Sequence, residues 1–320
     1  MSNTNLKENS KISWVIPCFN EAAVIKISIE RIKKVISKIN PKYEHEIIFI
    51  DDGSTDETRK IIKKIAEIDP VIKLLGLSRN FGHQAALQAG LNFALGSAVI
   101  IIDADLQDPP EIALEMINLW EKGYDVIYGK REKRKSESFF KKISAKLFYK
   151  LMTYFSDFEI PLDTGDFRLI DRKIIDALKE MPENSRYMRG LISWTGFRQT
   201  HVNYVRNERF AGKSKYSLRK MINLATDGLT AFSKTPLRIA SYLGLLTSIL
   251  SIIGIIYVLV VRLLTSIWVP GWATLTLAIL LTSSVQLFCL GIIGEYIGRN
   301  YLETKRRPLY FLEEKIGFKN

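Results

Sequence analysis

Short apolar segments alternate with amphipathic ones along the first part of the chain. Segments 13–17, 46–50, 71–77, 99–102 and 125–129 are apolar runs with many β-branched residues, as in strands that are buried on both faces. Between the first four of these runs, apolar residues recur every three or four positions, which predicts helices. The alternation of strand and helix predicts an α/β fold with a mostly parallel, doubly wound sheet.

Polar residues stand directly after each of the first four predicted strands. Because ligands bind outside the carboxyl ends of the strands in such sheets, these loops are expected to form one site. The sequence contains neither G-x-G-x-x-G nor G-x-x-x-x-G-K-[ST], so a dinucleotide fingerprint and a P-loop are excluded. The polar groups, in chain order, are Asn20-Glu21, Asp51-Asp52, Arg79-Asn80 and Asp103-Ala104-Asp105.

The fourth predicted strand runs directly into two carboxylates one residue apart. If the backbone stays extended beyond residue 102, Asp103, Asp105 and Gln107 share one face, because alternate residues of a strand do. Three oxygen ligands at the end of a buried strand suit Mg²⁺ or Mn²⁺. The alternative is a solvated acidic loop, since Asp-x-Asp is a short and common pattern. The polar loops on either side favour the metal site.

A divalent cation beside acidic loops indicates a nucleoside diphosphate as ligand. The cation overcomes the repulsion between carboxylates and diphosphate, and it stabilises a departing diphosphate. Asp51 is a candidate acceptor for an N–H group of the base, and equally a turn residue that caps a helix over 57–68. Arg131 and Arg134 are candidate phosphate ligands because guanidinium binds phosphate bidentately; the alternative is a solvated basic loop.

The charge balance adds an expectation about partners. The chain has 320 residues and a formal net charge of +12, which indicates an anionic partner such as nucleic acid, a lipid surface or a phosphorylated substrate. Cys18 and Cys289 are far apart, and the three histidines have no ligand spacing, so neither a disulfide framework nor a zinc site is expected. The first residues lack an apolar segment, so no signal peptide is expected.

Two uncharged apolar segments near the C-terminus are each long enough to span a bilayer core of about 30 Å. Basic residues flank the pair on both outer sides, whereas the loop between the segments holds only Arg262. The positive-inside rule then predicts a multi-pass membrane protein with its catalytic domain and both termini in the cytoplasm. The predicted parts are a domain over 1–235, two transmembrane helices at about 239–262 and 270–294 within 236–300, and a tail over 301–320.

Two further segments, near 139–153 and 218–232, carry apolar residues at helical spacing among lysines and other polar residues. A basic amphipathic helix of this kind lies on a membrane surface, or packs on the domain with a solvated basic face. The sequence does not decide between the two. Both segments would lie next to the membrane if the domain is cytoplasmic.

Four motifs taken together resemble glycosyltransferase family 2. The similarity is to its polyprenyl-phosphate branch, which includes dolichyl-phosphate mannose synthases and bactoprenol glucosyltransferases. Residues 209–216 resemble the basic acceptor loop of that branch, and the two apolar C-terminal segments resemble those of the bactoprenol glucosyltransferases. The motifs are Val15-Ile16-Pro17-Cys18-Phe19-Asn20-Glu21, Asp51-Asp52-Gly53-Ser54-Thr55-Asp56, Arg79-Asn80-Phe81-Gly82-His83-Gln84 and Asp103-Ala104-Asp105-Leu106-Gln107-Asp108-Pro109-Pro110-Glu111.

The resemblance implies a GT-A (Rossmann-like) domain followed by a two-helix transmembrane domain. It also implies a divalent cation, a nucleotide-sugar donor and a polyprenyl-phosphate acceptor. The metal ligands it implies are Asp103, Asp105 and Gln107, and the catalytic residues are Asp105, Asp157 and Arg131. The binding residues expected for nucleoside, diphosphate and acceptor phosphate are Pro17, Glu21, Asp51, Asp52, Asp103, Ala104, Gln107, Arg134, Asp166, Arg209, Ser214 and Lys215.

The reaction expected from this resemblance is transfer of one glucose from UDP-glucose to undecaprenyl phosphate, with inversion at the anomeric carbon. Asp157 is a base if the acceptor binds as the monoanion, and Asp166 orients Arg168 or Arg131; equally, both carboxylates cap turns. The alternatives are a GDP-mannose-dependent polyprenyl-phosphate mannosyltransferase and a membrane-anchored nucleotide-sugar-binding scaffold. The expected partners are the lipid, the bilayer and further copies of the chain, without nucleic acid.

Overall fold

The computed structural model of the protein describes residues 10–132, 164–181, 183, 186–206, 235–264 and 271–318. In this part of the chain, eight strands form one sheet in the order β7-β5-β6-β4-β1-β2-β3-β8. The strands are β1 (Lys11–Cys18), β2 (Glu44–Asp51), β3 (Ile72–Leu77), β4 (Ala98–Ile101), β5 (Val126–Arg131), β6 (Thr164–Asp171), β7 (Gln199–Tyr204) and β8 (Leu312–Ile316).

The middle of the sheet is parallel, as the sequence predicts. Strand β1 pairs in parallel with β2 and β4, and β2 with β3, so that their carboxyl ends meet at one edge. The predicted strands over 13–17, 46–50, 71–77, 99–102 and 125–129 are confirmed as β1 to β5. Strands β6 and β8 pair antiparallel with their neighbours, and sequence reasoning did not predict them.

Helices cover both faces of the sheet. The helices are α1 (Ile25–Ile36), α2 (Thr58–Ala66), α3 (His83–Phe93), α4 (Ala113–Glu121), α5 (Arg172–Glu180), α6 (Met188–Trp194), α7 (Thr235–Leu264) and α8 (Trp272–Thr304). Helices α1, α2 and α4 bury their apolar residues on one face of the sheet, and α3, α5 and α6 bury theirs on the other. Alternate residues of each central strand therefore enter two separate cores, which explains their continuous apolar runs.

Helix α3 approaches the sheet closely at Gly90. A Cβ atom on Gly90 would lie 2.4 Å from Cγ1 of Val15 and 2.7 Å from Cδ1 of Ile50, so no larger side chain fits without movement of the core. This contact sets the distance between α3 and the two central strands. It thereby fixes the start of α3 at His83, above the carboxyl ends of these strands.

A buried ionic cluster joins the amino ends of the central strands. The carboxylate of Glu46 accepts hydrogen bonds from the Ser13 hydroxyl, from Nζ of Lys73 at 2.6 Å and from the Leu95 amide at 2.7 Å. The side chain of Glu46 is 2% exposed. Every donor in the cluster comes from a different part of the chain, so the cluster ties β1, β2, β3 and the loop after α3 together.

Within the described ranges, helices α7 and α8 are long and apolar enough to cross a membrane. Their large apolar side chains, such as Leu245 and Leu287, are exposed, in contrast to those of the sheet domain. Helix α8 continues to Thr304, nearly three turns beyond the predicted end at residue 294. The chain then returns to the sheet as β8, which lies within the predicted tail.

Candidate active site

The polar loops predicted from the sequence do meet at the carboxyl edge of the sheet. The backbone N–H of Asn20, after β1, donates to the Ser54 hydroxyl after β2, and Oδ1 of Asn20 accepts from the Thr55 amide. The Glu21 amide likewise donates to the hydroxyl of Thr58 at 2.8 Å. These contacts hold the loops after β1 and β2 against each other. Pro17 faces Ile50 across the same two strands.

The prediction that Asp103, Asp105 and Gln107 share one face of an extended strand is wrong. Strand β4 ends at Ile101, and a turn follows, with Leu106 at a φ of +59°. The Gln107 amide donates to Oδ1 of Asp105 at 3.1 Å, so a local side-chain hydrogen bond competes with strand pairing. The three residues therefore lie in and around a turn and not on one face of a strand, and Ala104 between them is buried.

Asp51 is held by a guanidinium that the sequence analysis did not identify. Oδ2 of Asp51 accepts from Nε of Arg59 at 2.6 Å and from the Ser54 amide at 3.3 Å, whereas Oδ1 is buried without a hydrogen-bond partner. Arg59 also donates to the Leu77 carbonyl and to Glu313 of β8. Asp51 thus contacts the side chain of Arg59 on α2 but caps no backbone N–H at the start of that helix, so the capping alternative takes a different form from the one expected.

Asp52 organises the loop between β3 and α3. Its two carboxylate oxygens accept from the amides of Phe81 at 2.7 Å and Gly82 at 3.0 Å. Gly82 has a φ of +99°, in the left-handed region that favours glycine. Burial raises the pKa of Asp52, while the two amide donors oppose that shift. This carboxylate therefore sets the direction in which His83 leaves the loop.

Asp166, at the start of β6, is bound by two cationic groups. It accepts from Nε of Arg189 at 2.8 Å and lies 3.2 Å from Nε2 of His83, whereas the expected partner Arg168 is 4.0 Å away. Burial alone would raise the pKa of Asp166, but Arg189 and His83 hold it well below its usual range. Asp166 therefore stays ionised and positions His83 and Arg189.

Asp103 has the opposite electrostatic environment. Burial, together with the charges of Asp166, Asp105 and Asp108, raises its pKa to about 6, against the influence of His83. Nε2 of His83 lies 3.9 Å from Oδ1 of Asp103. Desolvation opposes ionisation of this imidazole, but the hydrogen bond to Asp166 and the charge of Asp103 raise its pKa to about 9. Negative charge is therefore concentrated at Asp103 beyond what its neighbours neutralise.

Asp108 is a further buried carboxylate, since only 1% of its side chain is exposed. It forms an ion pair with Arg131, which the sequence analysis predicts as a site residue. Tyr204 on β7 donates to its Oδ1 at 2.5 Å, and NH2 of Arg131 lies 3.6 Å from its Oδ2. Nε of Arg206 lies 3.2 Å from Oδ1. Arg131 also donates to the Tyr204 hydroxyl at 3.2 Å. Arg131 is thus held beside the carboxylates. Its acidic partner is Asp108, whereas the sequence analysis expects Asp166 in that role.

The donor set around Asp103 fits a divalent cation that is shared with a ligand. Among the residues that the structure describes, no three His, Cys, Asp or Glu side chains are grouped so that they could hold a metal ion by themselves. Mg²⁺ in nucleotide-dependent enzymes is commonly held by one or two carboxylates, with substrate phosphates and waters in the other positions. Asp103 and Asp105 are two carboxylates of this kind, and burial with the nearby carboxylates raises the pKa of Asp103, which a bound cation would lower again.

Several predicted residues lie outside the described residues. These are Arg134, Asp157, Arg209, Ser214 and Lys215, together with the amphipathic segments near 139–153 and 218–232. The sequence analysis in turn missed Arg59, Arg189 and Tyr204 as partners of the site carboxylates. Arg59 falls on a predicted helix, and Arg189 and Tyr204 lie beyond the alternating part of the chain. Among the cationic side chains described above as partners of the site carboxylates, only His83 lies in a family motif that the sequence analysis quotes.

Comparisons with known proteins agree with this geometry. Residues 13–179 match the model of glycosyl transferase family 2, and residues 235–299 match the GtrB C-terminal hairpin. The uncharacterized glycosyltransferase YkcC of Bacillus subtilis is 47% identical, with 98% of this chain and 97% of that protein covered. The bactoprenol glucosyl transferase of Shigella phage SfX is 41% identical, with 95% and 99% covered.

Among solved structures, glucosyl-3-phosphoglycerate synthase from Mycobacterium tuberculosis is 18% identical, with a TM-score of 0.48 over 70% of this chain and 79% of that one. The family match covers more than half of the chain, and the full-length relatives extend it to both ends. The polar loops and the mostly parallel sheet agree with the family match and with the relatives of 47% and 41% identity: the chain belongs to glycosyl transferase family 2, and it is a glycosyltransferase with a GT-A fold.

Proposed function

We propose that this glycosyltransferase transfers one glucose from UDP-glucose to undecaprenyl phosphate, or a similar polyprenyl phosphate, at the cytoplasmic face of a membrane. The observation that carries the proposal is the group of carboxylates and arginines at the carboxyl edge of the sheet, on a chain that also has two apolar helices long enough to span a bilayer. Relatives named bactoprenol glucosyl transferase, 41% identical over nearly the whole chain, support the lipid acceptor and the sugar.

The donor is proposed to bind across the ends of β1, β2 and β4. The nucleoside is proposed to lie against Pro17, Glu21, Asp51 and Asp52, with Asp51 as an acceptor for a base N–H. The cation and the diphosphate lie at Asp103, Ala104, Asp105 and Gln107. A bound Mg²⁺ or Mn²⁺ offsets the charge of the diphosphate and stabilises it as it leaves. Asp166, kept ionised by Arg189, holds His83 beside Asp103 throughout.

The acceptor phosphate is proposed to bind to cationic residues on the other side of the sugar. Arg131 is fixed there by Tyr204 and Asp108. Arg134, Arg209, Ser214 and Lys215 complete the proposed phosphate contacts. Bidentate guanidinium contacts suit this task because phosphate presents two oxygens at a matching spacing.

The proposed chemistry is a single inverting displacement. An oxygen of the lipid phosphate attacks the anomeric carbon, the bond from that carbon to the diphosphate oxygen breaks, and UDP leaves with the electron pair. Because a phosphate monoester has a second pKa of about 6, the nucleophile is largely deprotonated near neutral pH. Asp157 serves as base only for the monoanion, so Asp157→Asn is expected to lower turnover partly, with recovery as the pH rises. A complete loss that is the same at every pH would contradict this role.

A panel of nucleotide sugars, including UDP-glucose and GDP-mannose, with undecaprenyl phosphate tests the proposal directly. Lipid extraction after incubation is expected to yield glucosyl lipid with UDP-glucose, and EDTA is expected to stop its formation. Mannosyl lipid from GDP-mannose would instead indicate a mannosyltransferase. Donor binding by calorimetry without any turnover would indicate a nucleotide-sugar-binding scaffold.

The orientation in the membrane is part of the same proposal. The basic residues outside the two spans support an orientation with both termini in the cytoplasm and the loop over 265–271 on the far side. Single cysteines at positions 5, 268 and 318, in a variant without Cys18 and Cys289, are the probe. A membrane-impermeant thiol reagent added to intact cells is expected to label position 268 alone, and labelling of position 5 or 318 would overturn the orientation.

A further inference from the structure

A large open cavity lies between the end of helix α8 and the loop before α3. Its volume is about 1190 Å³, and its walls come from segment 295–311 on one side and from Arg79, Phe81, Gln84 and Ala85 on the other. The first wall follows directly from the second apolar helix, and the second wall belongs to the carboxyl edge of the sheet. The cavity therefore joins the membrane-proximal part of the chain to the catalytic part.

Positive charge predominates in this cavity. Among the described residues, its lining carries two carboxylates, Glu295 and Glu303, against five cationic side chains. The cationic side chains are Arg79, Arg186, Arg299, Lys305 and Arg307. An excess of cations around a concave surface attracts an anion, and the low-dielectric walls strengthen that attraction.

Part of this charge has a structural role, and part of it is presented to the cavity. Arg186 is held by the side chain of Gln88 at 2.7 Å and by the Met181 carbonyl at 2.6 Å, and Arg299 is paired with Glu295 at 2.9 Å. In contrast, Lys305 and Arg307 are exposed on the segment that follows α8. These two residues are therefore the side chains best placed to bind an incoming anion.

Aromatic faces hold two of the cations in place. Nζ of Lys305 lies 4.0 Å from the centre of the Tyr301 ring, and the guanidinium of Arg79 lies 4.1 Å from the centre of the Phe81 ring. Contact with a ring face leaves N–H groups able to donate to an anion. The rings also supply apolar surface, which continues in the exposed side chains of Leu302 and Phe311. The cavity thus combines anion donors with apolar walls.

The loop that forms one wall also reaches the catalytic carboxylates. The amides of Phe81 and Gly82 bind Asp52, and the next residue, His83, lies 3.2 Å from Asp166 and 3.9 Å from Asp103. A ligand in the cavity is therefore separated from the proposed reaction centre by one short loop. An anion that approaches those carboxylates needs compensating cations close by, and the cavity supplies them.

We propose that this cavity binds a phosphate monoester that carries an apolar chain, with its phosphate on Lys305 and Arg307 and the start of its chain on the aromatic and aliphatic walls. This inference rests on the proposed function, since the ligand is the acceptor lipid of that reaction. The lining residues Lys305 and Arg307 are additional to the acceptor residues Arg209, Ser214 and Lys215 that the sequence analysis expects. The cavity holds the lipid beside α8 before its phosphate reaches the sugar.

The test compares Lys305→Gln and Arg307→Gln with Arg306→Gln in the full chain, reconstituted in detergent or nanodiscs. Arg306 lies between the two lining residues but does not line the cavity, so it is a matched control for charge. Each lining variant is expected to raise the KM for polyprenyl phosphate about tenfold, as expected for loss of a charge-assisted contact. The KM for the nucleotide sugar, kcat and the control variant are expected to change less than twofold.

Calorimetric binding of geranyl phosphate and of inorganic phosphate to the wild type separates the head group from the chain. Geranyl phosphate is expected to bind, to lose affinity in Lys305→Gln and Arg307→Gln, and to compete with the acceptor lipid, whereas inorganic phosphate binds much more weakly. Equal binding of the two ligands, or wild-type affinity in both variants, would overturn the cavity proposal. A wild type that binds geranyl phosphate but glycosylates no polyprenyl phosphate would contradict the proposed function alone.

Discussion

The two ends of the central sheet both bury carboxylates, and they compensate them in opposite ways. At the amino end, Glu46 accepts hydrogen bonds from Ser13, Lys73 and the Leu95 amide. At the carboxyl end, Asp103 is surrounded by further carboxylates, and one imidazole lies 3.9 Å away. The strands that run between the two ends are the same ones, so the difference comes from the loops and not from the sheet.

The pKa values of the two carboxyl groups express this difference. Burial raises the pKa of both groups. At Glu46 the donors Lys73, Ser13 and Leu95 outweigh burial and lower the pKa below its ordinary value. At Asp103 the neighbouring carboxylates add to burial and raise the pKa to about 6. The side chain of Glu46 is 2% exposed and has its hydrogen-bond partners within the fold, whereas that of Asp103 is 30% exposed and accessible to a cation and a ligand.

The largest effect on turnover is expected from the loss of a carboxylate at the carboxyl end of the sheet. Asp105→Ala is expected to lower turnover at least a hundredfold, because loss of a ligand for a cation that stabilises the leaving diphosphate costs several kcal/mol of barrier. The melting temperature is expected to change little. Steady-state kinetics and thermal unfolding measure both quantities, and Asp176→Ala, an exposed aspartate on α5, is the control. If Asp105→Ala had the turnover of the wild type, the carboxyl end of the sheet would not contain the catalytic site.

The next largest effect, on the free energy of unfolding, is expected from the loss of a carboxylate at the amino end of the sheet. Glu46→Ala leaves the ammonium of Lys73 buried without its carboxylate, which is expected to lower the free energy of unfolding by about 3–5 kcal/mol. Turnover of the folded enzyme at low temperature is expected to stay within about twofold, since this end does not contact the site. Glu44→Ala is the control, because Glu44 forms an exposed ion pair with Lys11 at 3.4 Å. A large drop in kcat with unchanged stability would reverse the roles of the two ends.

The acid response of Glu46 sharpens the comparison. Its folded pKa lies below the ordinary value of 4.5, so its contribution to stability is complete above that value and is lost as pH falls through the folded pKa. The unfolding free energy of the wild type is therefore expected to fall more steeply below pH 4.5 than that of Glu46→Gln. Denaturant titrations at a series of pH values measure this, and parallel curves for the two proteins would contradict it.

The smallest effect, on the KM for the nucleotide sugar, is expected from the contact between the C-terminal strand β8 and Arg59. Glu313→Gln removes one partner of Arg59 while Asp51 remains bound, so the KM for the nucleotide sugar is expected to rise only a few-fold, as for other exposed ion pairs. The value of kcat is expected to stay unchanged. Glu314→Gln is the control, because Glu314 lies on the same strand as Glu313 but pairs with Lys63. Equal changes in both variants would mean that β8 affects only stability.

Prediction from sequence succeeded where a repeating pattern encodes the structure. The apolar runs of β1 to β5 and the long apolar segments within helices α7 and α8 are such patterns, and the structure contains all of them. It failed where pairing depends on distant residues. Strand β6 enters between β4 and β5, and β8 pairs with β3 across more than two hundred residues, and neither pairing has a local signature.

The candidate site divides in the same way. The residue types at the strand ends were visible in the sequence, because parallel strands must bring their carboxyl ends to one edge. Their geometry was not, since the turn after Ile101 replaced the extended backbone expected over 103–107. Nor did the sequence connect Arg59 to Asp51 or Arg189 to Asp166, because these contacts cross between elements.

The sequence by itself determined the class of fold, the edge of the sheet at which chemistry takes place and the apolar helices, because periodicity and strand direction are local properties. Only the tertiary structure decided which carboxylates are neutralised. Strand direction places Glu46 and Asp103 at opposite ends of the sheet, but no local feature shows which of the two meets an ammonium group. Charge compensation depends on what the rest of the chain brings within a few ångströms, and that distance is set by packing.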